Sequence, residues 1–537
     1  MKKQTLWMAL FLLLHAVGYA QFRIDWQQSY GTMASDIAYD IVQVDDGYFV
    51  TGFAGAGGGQ VTCSKEGAGW LLRFDSSGNL LWQRCYPRRS AIRMVKAIGS
   101  PYFYMIGGCT LDPYPDTYNL WIAKIDSLGS ILWERVLGNT IGILGGDQYG
   151  EATPDGGVIA SAQIDSQGGD ITHWHGWYDG WVIKLDSLGN TEWDQSIGSS
   201  FIEFINVIIP TSDGGYLAGL YGEPNGIDGN VECVVFSNDA DAIVYKMDST
   251  GNRQWDQCYG GSALEGVVNL LEVEDGYLVA GIGSSTDGDL LGAGWHPGWE
   301  GNHYPDPTID IWLVKIDFHG NIIWQKCYGG TQNESSRKIF QSEDGGFVIF
   351  GETHSFDCDV EGNPSCCKEK PSIWIFKVDP MGNFLWQQCI GGSGSESLYN
   401  GVVRHSDYRY VVAGEMNYSP SGDVNCSNFV PLSGPNFWVF SISDTTENIA
   451  EHNPWMDKVN IYPNPTSAVL HIDFPANTPI PHALLEILDI NGRVVLKQEK
   501  LSHTNNLAIE QLPPGLFLVR IRDDARLMTK RIIRKNL

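Results

Sequence analysis

A block of thirteen residues, Trp70…Asp75…Gly78-Asn79…Trp82, recurs along the chain without insertion or deletion. Further copies are Trp121…Asp126…Trp133, Trp181…Asp186…Trp193, Trp312…Asp317…Trp324 and Trp374…Asp379…Trp386. A sixth, Ile243…Asp248…Trp255, replaces only the first Trp. A fixed period of this kind means one supersecondary unit that cannot bury its apolar face alone and must stack on copies of itself. Alternating apolar residues flank an Asp-x-x-Gly-Asn centre, which reads as a β-hairpin: Asp bonds its own backbone and Gly takes the left-handed conformation. A ligand-set reading of the six aspartates is therefore secondary to turn formation.

Each unit has a second hairpin. Its turn is Asp46-Gly47, Asp155-Gly156, Asp213-Gly214, Asp275-Gly276 or Asp344-Gly345 in five units. Four strands in roughly 50–70 residues match a propeller blade. Seven closing tryptophans are present: Trp26, Trp82, Trp133, Trp193, Trp255, Trp324 and Trp386. The last unit stops after Trp438 and Asp444, and its missing partner strand stands at the other end around Trp26. The expectation is an all-β, seven-bladed β-propeller over 21–444, closed by its N-terminal strand.

Lys2, Lys3, a short apolar run from Leu6 to Leu14 and small residues Gly18 and Ala20 predict a signal peptide over 1–20. No later segment is apolar for long enough to span a membrane as a helix. A net charge of −28 argues against nucleic-acid binding. The last 82 residues reverse the balance, with 11 Lys/Arg against 8 Asp/Glu. The eleven cysteines suit an oxidising compartment, and Cys63–Cys85 and Cys233–Cys258 are the expected pairs. Cys358, Cys366 or Cys367 is within reach of Cys389.

Strand alternation sends the tight turns to one face and the longer loops to the other. Variable loops on a rigid scaffold are where binding sites are carried, so the loop face is the expected functional face. Two features stand there. Ten residues after a closing Trp come Asp36, Glu203, Glu265, Glu334 and Glu396, with Asp147 displaced by an insertion. Such acids suit a cation such as Ca²⁺ at the channel mouth. The plainer and preferred reading is that they accept backbone hydrogen bonds at the crossovers, shaped by a Gly five residues after each Trp except at Pro87. The second feature is aromatic. Trp174, Trp177 and Tyr178 share one loop; Trp295, Trp299 and Tyr304 share another. Exposed, they are platforms for sugar rings or partner side chains; buried, they are small private cores. His173 and His175 lack a third metal ligand, and the pairs Asp239/Asp241 and Asp287/Asp289 fall short of a calcium loop.

Beyond a linker at 445–457, residues 458–537 carry Tyr462-Pro463-Asn464-Pro465, an Asn491-Gly492-Arg493 turn, Pro514-Gly515 and a basic end from Lys530 to Lys535. This tail resembles the type A C-terminal sorting domain of the type IX secretion system of Bacteroidota. The repeat body is similar, more loosely, to secreted propeller-like proteins of the same bacteria. About 80 residues with roughly seven strands suggest a small β-sandwich, and the first resemblance implies Sec export and then passage by the type IX machinery to a secreted or surface-attached state. No catalytic residues follow from either. The expected function is a binding or adhesion propeller for glycan or protein ligands. The alternative is a polysaccharide-acting enzyme using loop-face carboxylates.

Overall fold

The computed structural model describes residues 22–444 and 459–534, apart from loop stretches of which the longest are 298–307, 427–433 and 475–483. The segments 1–21 and 445–458, which include the expected signal peptide and linker, lie outside the described residues. The chain divides into two compact units, 1–444 and 445–537.

The first unit holds seven four-stranded antiparallel sheets. Blade 1 is built from Ile37–Val44, Gly47–Ala54, Ala68–Asp75 and Leu80–Pro87, running from innermost to outermost strand. Five more sheets follow in chain order. Blade 7 comprises Glu396–Ser406, Arg409–Met416 and Asn436–Asp444, and its outermost strand is Phe22–Tyr30 from the other end of the chain. Innermost strands of consecutive blades neighbour one another, and that of blade 7 neighbours that of blade 1. The body is a closed seven-bladed propeller.

The repeat block explains itself once folded. Asp75 Oδ1 accepts the backbone N–H groups of Ser77 and Asn79, both at 2.9 Å, and Oδ2 accepts the Asn79 side chain. Asp186, Asp248, Asp317 and Asp379 do the same with their own turns. These aspartates are occupied by turn geometry, and Asp248 is held down to about 2 by its hydrogen bonds. The first Trp of each block is buried in the blade, and its indole N–H bonds the residue after the closing Trp: Trp70 to Gln83, Trp312 to Gln325, Trp374 to Gln387. The closing Trp reaches the next blade instead. Trp324 donates to Pro380 O, and a Cβ on Gly382 would stand 2.7 Å from its ring. Glycine is required there both by its positive φ of 74° and by this close approach.

A lysine three positions after the first Trp, or after Ile243 in its place, ties the end of the third strand to the Asp of the blade's other turn. Lys184 bonds Asp155 at 2.7 Å, Lys246 bonds Asp213 at 2.9 Å and Lys315 bonds Asp275 at 2.8 Å. Both turn types thereby form one tied, repetitive face.

The second unit pairs a three-stranded sheet, Asn460–Tyr462, Val469–Asp473 and Thr504–Ala508, with a four-stranded one containing Leu484–Leu488 and Gly515–Arg522. Leu470, Ile472, Leu485, Ile487, Phe517, Val519 and Ile521 fill one core between them. It is a small β-sandwich.

Candidate functional site

The loop face is more regular than the unequal loop lengths imply. In six blades the loop after the second strand contains a Gly (Cys358 in blade 6) in positive φ, a polar residue, then a buried aliphatic one. The instances are Gly59-Gln60-Val61, Gly169-Asp170-Ile171, Gly229-Asn230-Val231, Gly288-Asp289-Leu290, Cys358-Asp359-Val360 and Gly422-Asp423-Val424. The polar residue exchanges two bonds with the Gly five positions after a closing Trp. Asn230 N–H reaches Gly198 O at 3.0 Å, and Gly198 N–H returns to Asn230 Oδ1 at 3.0 Å. Asp289 with Gly260, and Asp423 with Gly391, repeat the exchange. The short signal was present in the sequence, but its meaning is a pairing between residues about thirty positions apart.

Two residues beyond that aliphatic position stand Cys63 and Cys233, bonded to Cys85 and Cys258. Both expected disulfides are formed. Cys358 and Cys389, by contrast, are separate free thiols, so that proposed pair is not made; Cys366 and Cys367 lie outside the described residues. Cys327, Cys389 and Cys426 are also free, each occupying one half of the position that blades 1 and 4 complete.

The crossover acids are buried and bonded locally. Asp36 accepts Gly55 N–H and Thr32 Oγ1 at 2.9 Å; Glu203 accepts Ser199 N–H at 2.8 Å. Glu265 accepts Gly261, Ser284 and Ser285 N–H groups; Glu334 accepts Gly330 N–H and Glu396 accepts Gly392 N–H. Burial pushes Glu334 and Glu396 up to about 7 despite these bonds. No group of three or more His, Cys, Asp or Glu side chains is arranged to hold a metal among the described residues.

The aromatic loop of blade 3 is held from both sides. Thr172 N–H and Oγ1 bond Asp194 at 3.0 and 2.8 Å, and His175 N–H and Nδ1 bond buried Asp179 at 2.8 and 2.9 Å. Trp177 and Tyr178 N–H groups donate to Phe201 O. On this fixed loop Trp174 is 42% exposed and Trp177 is 72% exposed. Tyr178 stacks on Phe204 at 5.8 Å, and Phe204 stacks on Tyr221 at 5.1 Å, extending the aromatic surface onto the innermost strand of blade 4. Trp295 behaves differently: it packs against the core of blades 4 and 5, and its indole N–H bonds Thr308 O at 2.9 Å. Trp299 and Tyr304 lie outside the described residues. Trp174 and Trp177 are thus exposed on one hydrogen-bonded loop, Tyr178 is half-buried against Phe204, and Trp295 is packing.

The channel holds a set of charges that sequence reading missed. Arg93 of blade 2 meets Asp40 of blade 1 at 3.1 Å, Tyr149 of blade 3 at 3.1 Å and the Glu151 carboxylate. Lys338 of blade 6 faces the same cluster, and burial with the Arg93 charge lowers it to about 8. A β-bulge interrupts most innermost strands here, as at Ala38/Asp40 and Ser336/Lys338, and turns extra side chains inward.

In the tail, Tyr462 stacks on His471 and donates to Asp473 at 2.6 Å, fixing the strand start; Pro463, Asn464, Pro465 and Gly492 lie outside the described residues. Gly515 opens one of the two interior strands of the larger sheet. Residues 460–535 match the family model described as a secretion system C-terminal sorting domain. The tail is a type IX secretion sorting domain. This sorting domain directs the chain by type IX secretion to the cell surface or the extracellular space, and it implies contact with the type IX machinery. No helix among the described residues is long and apolar enough to cross a membrane. No curated protein matches the sequence. Solved structures similar to the chain include the sialidase of Trypanosoma rangeli, 10% identical over 87% of this chain and 88% of that one, with a TM-score of 0.35. The polysaccharide lyase Uly1 is 9% identical, over 78% and 99%, with a TM-score of 0.42. An α-L-arabinanase of Penicillium chrysogenum is 10% identical, over 67% and 94%, with a TM-score of 0.37.

Proposed function

We propose that the exported propeller is a binding protein that captures a glycan on the loop face of blades 3 and 4. The observation that carries this reading is the exposure of Trp174 and Trp177 on a loop already fixed by hydrogen bonds. An indole face takes the apolar side of a sugar ring, while its N–H and neighbouring polar groups take the hydroxyls. A platform ordered before binding loses little conformational entropy when it closes on a ligand. Exposed His173 adds a polar edge beside Trp174.

A hydrolase would need two carboxylates turned toward the sugar across an open cleft. Beside Trp174 the described acids are engaged: Asp179 with His175, Asp194 with Thr172 and Trp181, Glu203 with Ser199. This geometry favours binding over glycosidic cleavage. A glycan array on the body, 21–444, with wild type and Trp177→Ala tests the reading. Retention of a glycan by wild type and its loss in the variant supports it. An array with no bound glycan, or capture of protein ligands alone, overturns it.

A further inference from the structure

The blade junctions on the loop face carry buried polar pairs, and one junction shows what the pairing requires. Where blade 7 meets blade 1, Asn436 Nδ2 donates to Asp36 Oδ2 at 3.2 Å. Asn436 stands two residues before Trp438, and Asp36 stands ten after Trp26. At the junction of blades 5 and 6 the same two positions are Asp310 and Glu334, 0% and 2% exposed. The crossover glycine between each pair marks the correspondence. A Cβ on Gly31 would stand 2.4 Å from Asn436 Nδ2 and 2.8 Å from Asp36 Oδ2. On Gly329 it would stand 2.7 Å from Asp310 Oδ1 and 2.5 Å from Glu334 Oε2. Asp310 Oδ1 therefore occupies the place of the Asn436 donor.

The remaining oxygens are accounted for. Asp310 Oδ2 accepts His296 N–H and Nδ1–H, both at 2.9 Å. Glu334 Oε1 accepts Thr353 Oγ1–H at 2.7 Å, and Oε2 accepts Gly330 N–H at 2.9 Å. Asp310 Oδ1 is buried with no hydrogen-bond partner among the described residues. Two ionised carboxylates facing each other out of water are strongly disfavoured, and one proton between them removes the conflict.

We infer that Asp310 and Glu334 share one proton, with the Glu334 hydroxyl donating to Asp310 Oδ1 where Asn436 donates an N–H at the other junction. The groups facing this pair are His296, Asp359 at 3.8 Å from His296 Nε2, and the thiols of Cys327, Cys358 and Cys389. Asp241 and Glu265 flank Gly260 in the same way at the junction of blades 4 and 5, at 2.4 and 3.0 Å from its Cβ position. The junction is a pH-sensitive clasp between blades.

Burial, with the Asp310 charge adding to it, raises Glu334 to about 7, above its unfolded value. The folded chain then holds the extra proton, so the stabilisation is full below the unfolded value and is lost as pH rises through about 7. His296, raised chiefly by its bond to Asp310, acts in the same direction.

The test is the thermal unfolding midpoint of the full chain from about pH 5 to about pH 9, for wild type, Asp310→Asn and Asn436→Asp. Asp310→Asn keeps an oxygen for His296 and places a permanent N–H at Oδ1. It should flatten the alkaline decline, reducing proton uptake on folding by up to about one proton. Asn436→Asp should create a new decline above neutral pH with little change in mild acid. Parallel shifts at every pH in both variants overturn the inference. The protonated-carboxyl infrared band near neutral pH gives a readout independent of stability. It should weaken in Glu334→Gln, and an unchanged band overturns the shared proton even if another variant fails to fold.

Discussion

The indole N–H of Trp438 donates to Gln27 Oε1 at 3.1 Å, a bond that spans almost the whole body of the chain. It is the bond Trp70 makes to Gln83 within one hairpin, also at 3.1 Å. The register agrees as well: Ser29 faces Trp438 as Cys85 faces Trp70. Ring closure therefore uses no special device. It reproduces an ordinary blade from two chain ends, and Trp70 packs on Phe437 at 4.9 Å to continue the core across the seam.

Breaking that bond should destabilise the ring. Gln27→Ala leaves the buried Trp438 N–H without an acceptor, a loss of about 1–3 kcal/mol. Gln325→Ala removes the equivalent bond from Trp312, within blade 5 and away from the seam, and should cost a similar amount. Deleting 22–30 instead exposes the edge of blade 7 and should lower the denaturant midpoint far more than either point variant. Equal effects of the deletion and Gln27→Ala would contradict closure by this strand.

The unpaired thiol of Cys426 stands where Cys63 and Cys233 find partners, and the partner position in its blade is Ser29. Ser29→Cys should form a third disulfide spontaneously and staple the N-terminal strand. Thiol titration and non-reducing peptide mapping read this directly. A bridge closing so long a loop stabilises by up to about 4–5 kcal/mol where geometry permits.

Trp177→Ala and Trp174→Ala should leave the unfolding midpoint nearly unchanged, because exposed side chains away from caps and networks contribute within about 0.5 kcal/mol. Each should weaken glycan binding about tenfold or more, measured by titration calorimetry with whichever glycan the array selects. Trp181→Ala is the contrasting control. Its ring is fully buried, and its loss should cost about 3–5 kcal/mol.

Lys338 faces Arg93, Asp40 and Glu151 and is lowered to about 8. A depressed lysine binds its proton less well folded than unfolded, so stability should rise as pH climbs from about 8 toward the unfolded lysine value. Lys338→Met should abolish that rise, as followed by denaturant titrations across this range. An identical slope in the variant would place Lys338 outside the channel cluster.

The repeat was legible because its chemistry is local. Asp75 and Gly78 make their turn within one hairpin, and the alternating strands announce their faces. The orphan strand around Trp26 also announced itself, since a half-hairpin at one terminus matched a gap at the other. The loop motif around Asp289 and Asp359 was written in the sequence but not readable, because its partners are glycines of the crossovers. Trp295 shows the same limit. Its composition matched Trp174, yet one is packed into a core and the other faces solvent.

Sequence by itself determined the hairpin, its sevenfold recurrence, the two terminal halves of one blade and the sorting tail, all set by short-range spacing. Only the tertiary structure decided which groups from different blades meet. Arg93 joins Asp40 and Glu151, Asp310 faces Glu334, and Trp174 stays at the surface. Closing a ring brings together side chains of separate blades, 24 residues apart for Asp310 and Glu334 and 53 for Asp40 and Arg93, and no periodicity along the chain encodes the distance between side chains at its axis and seams.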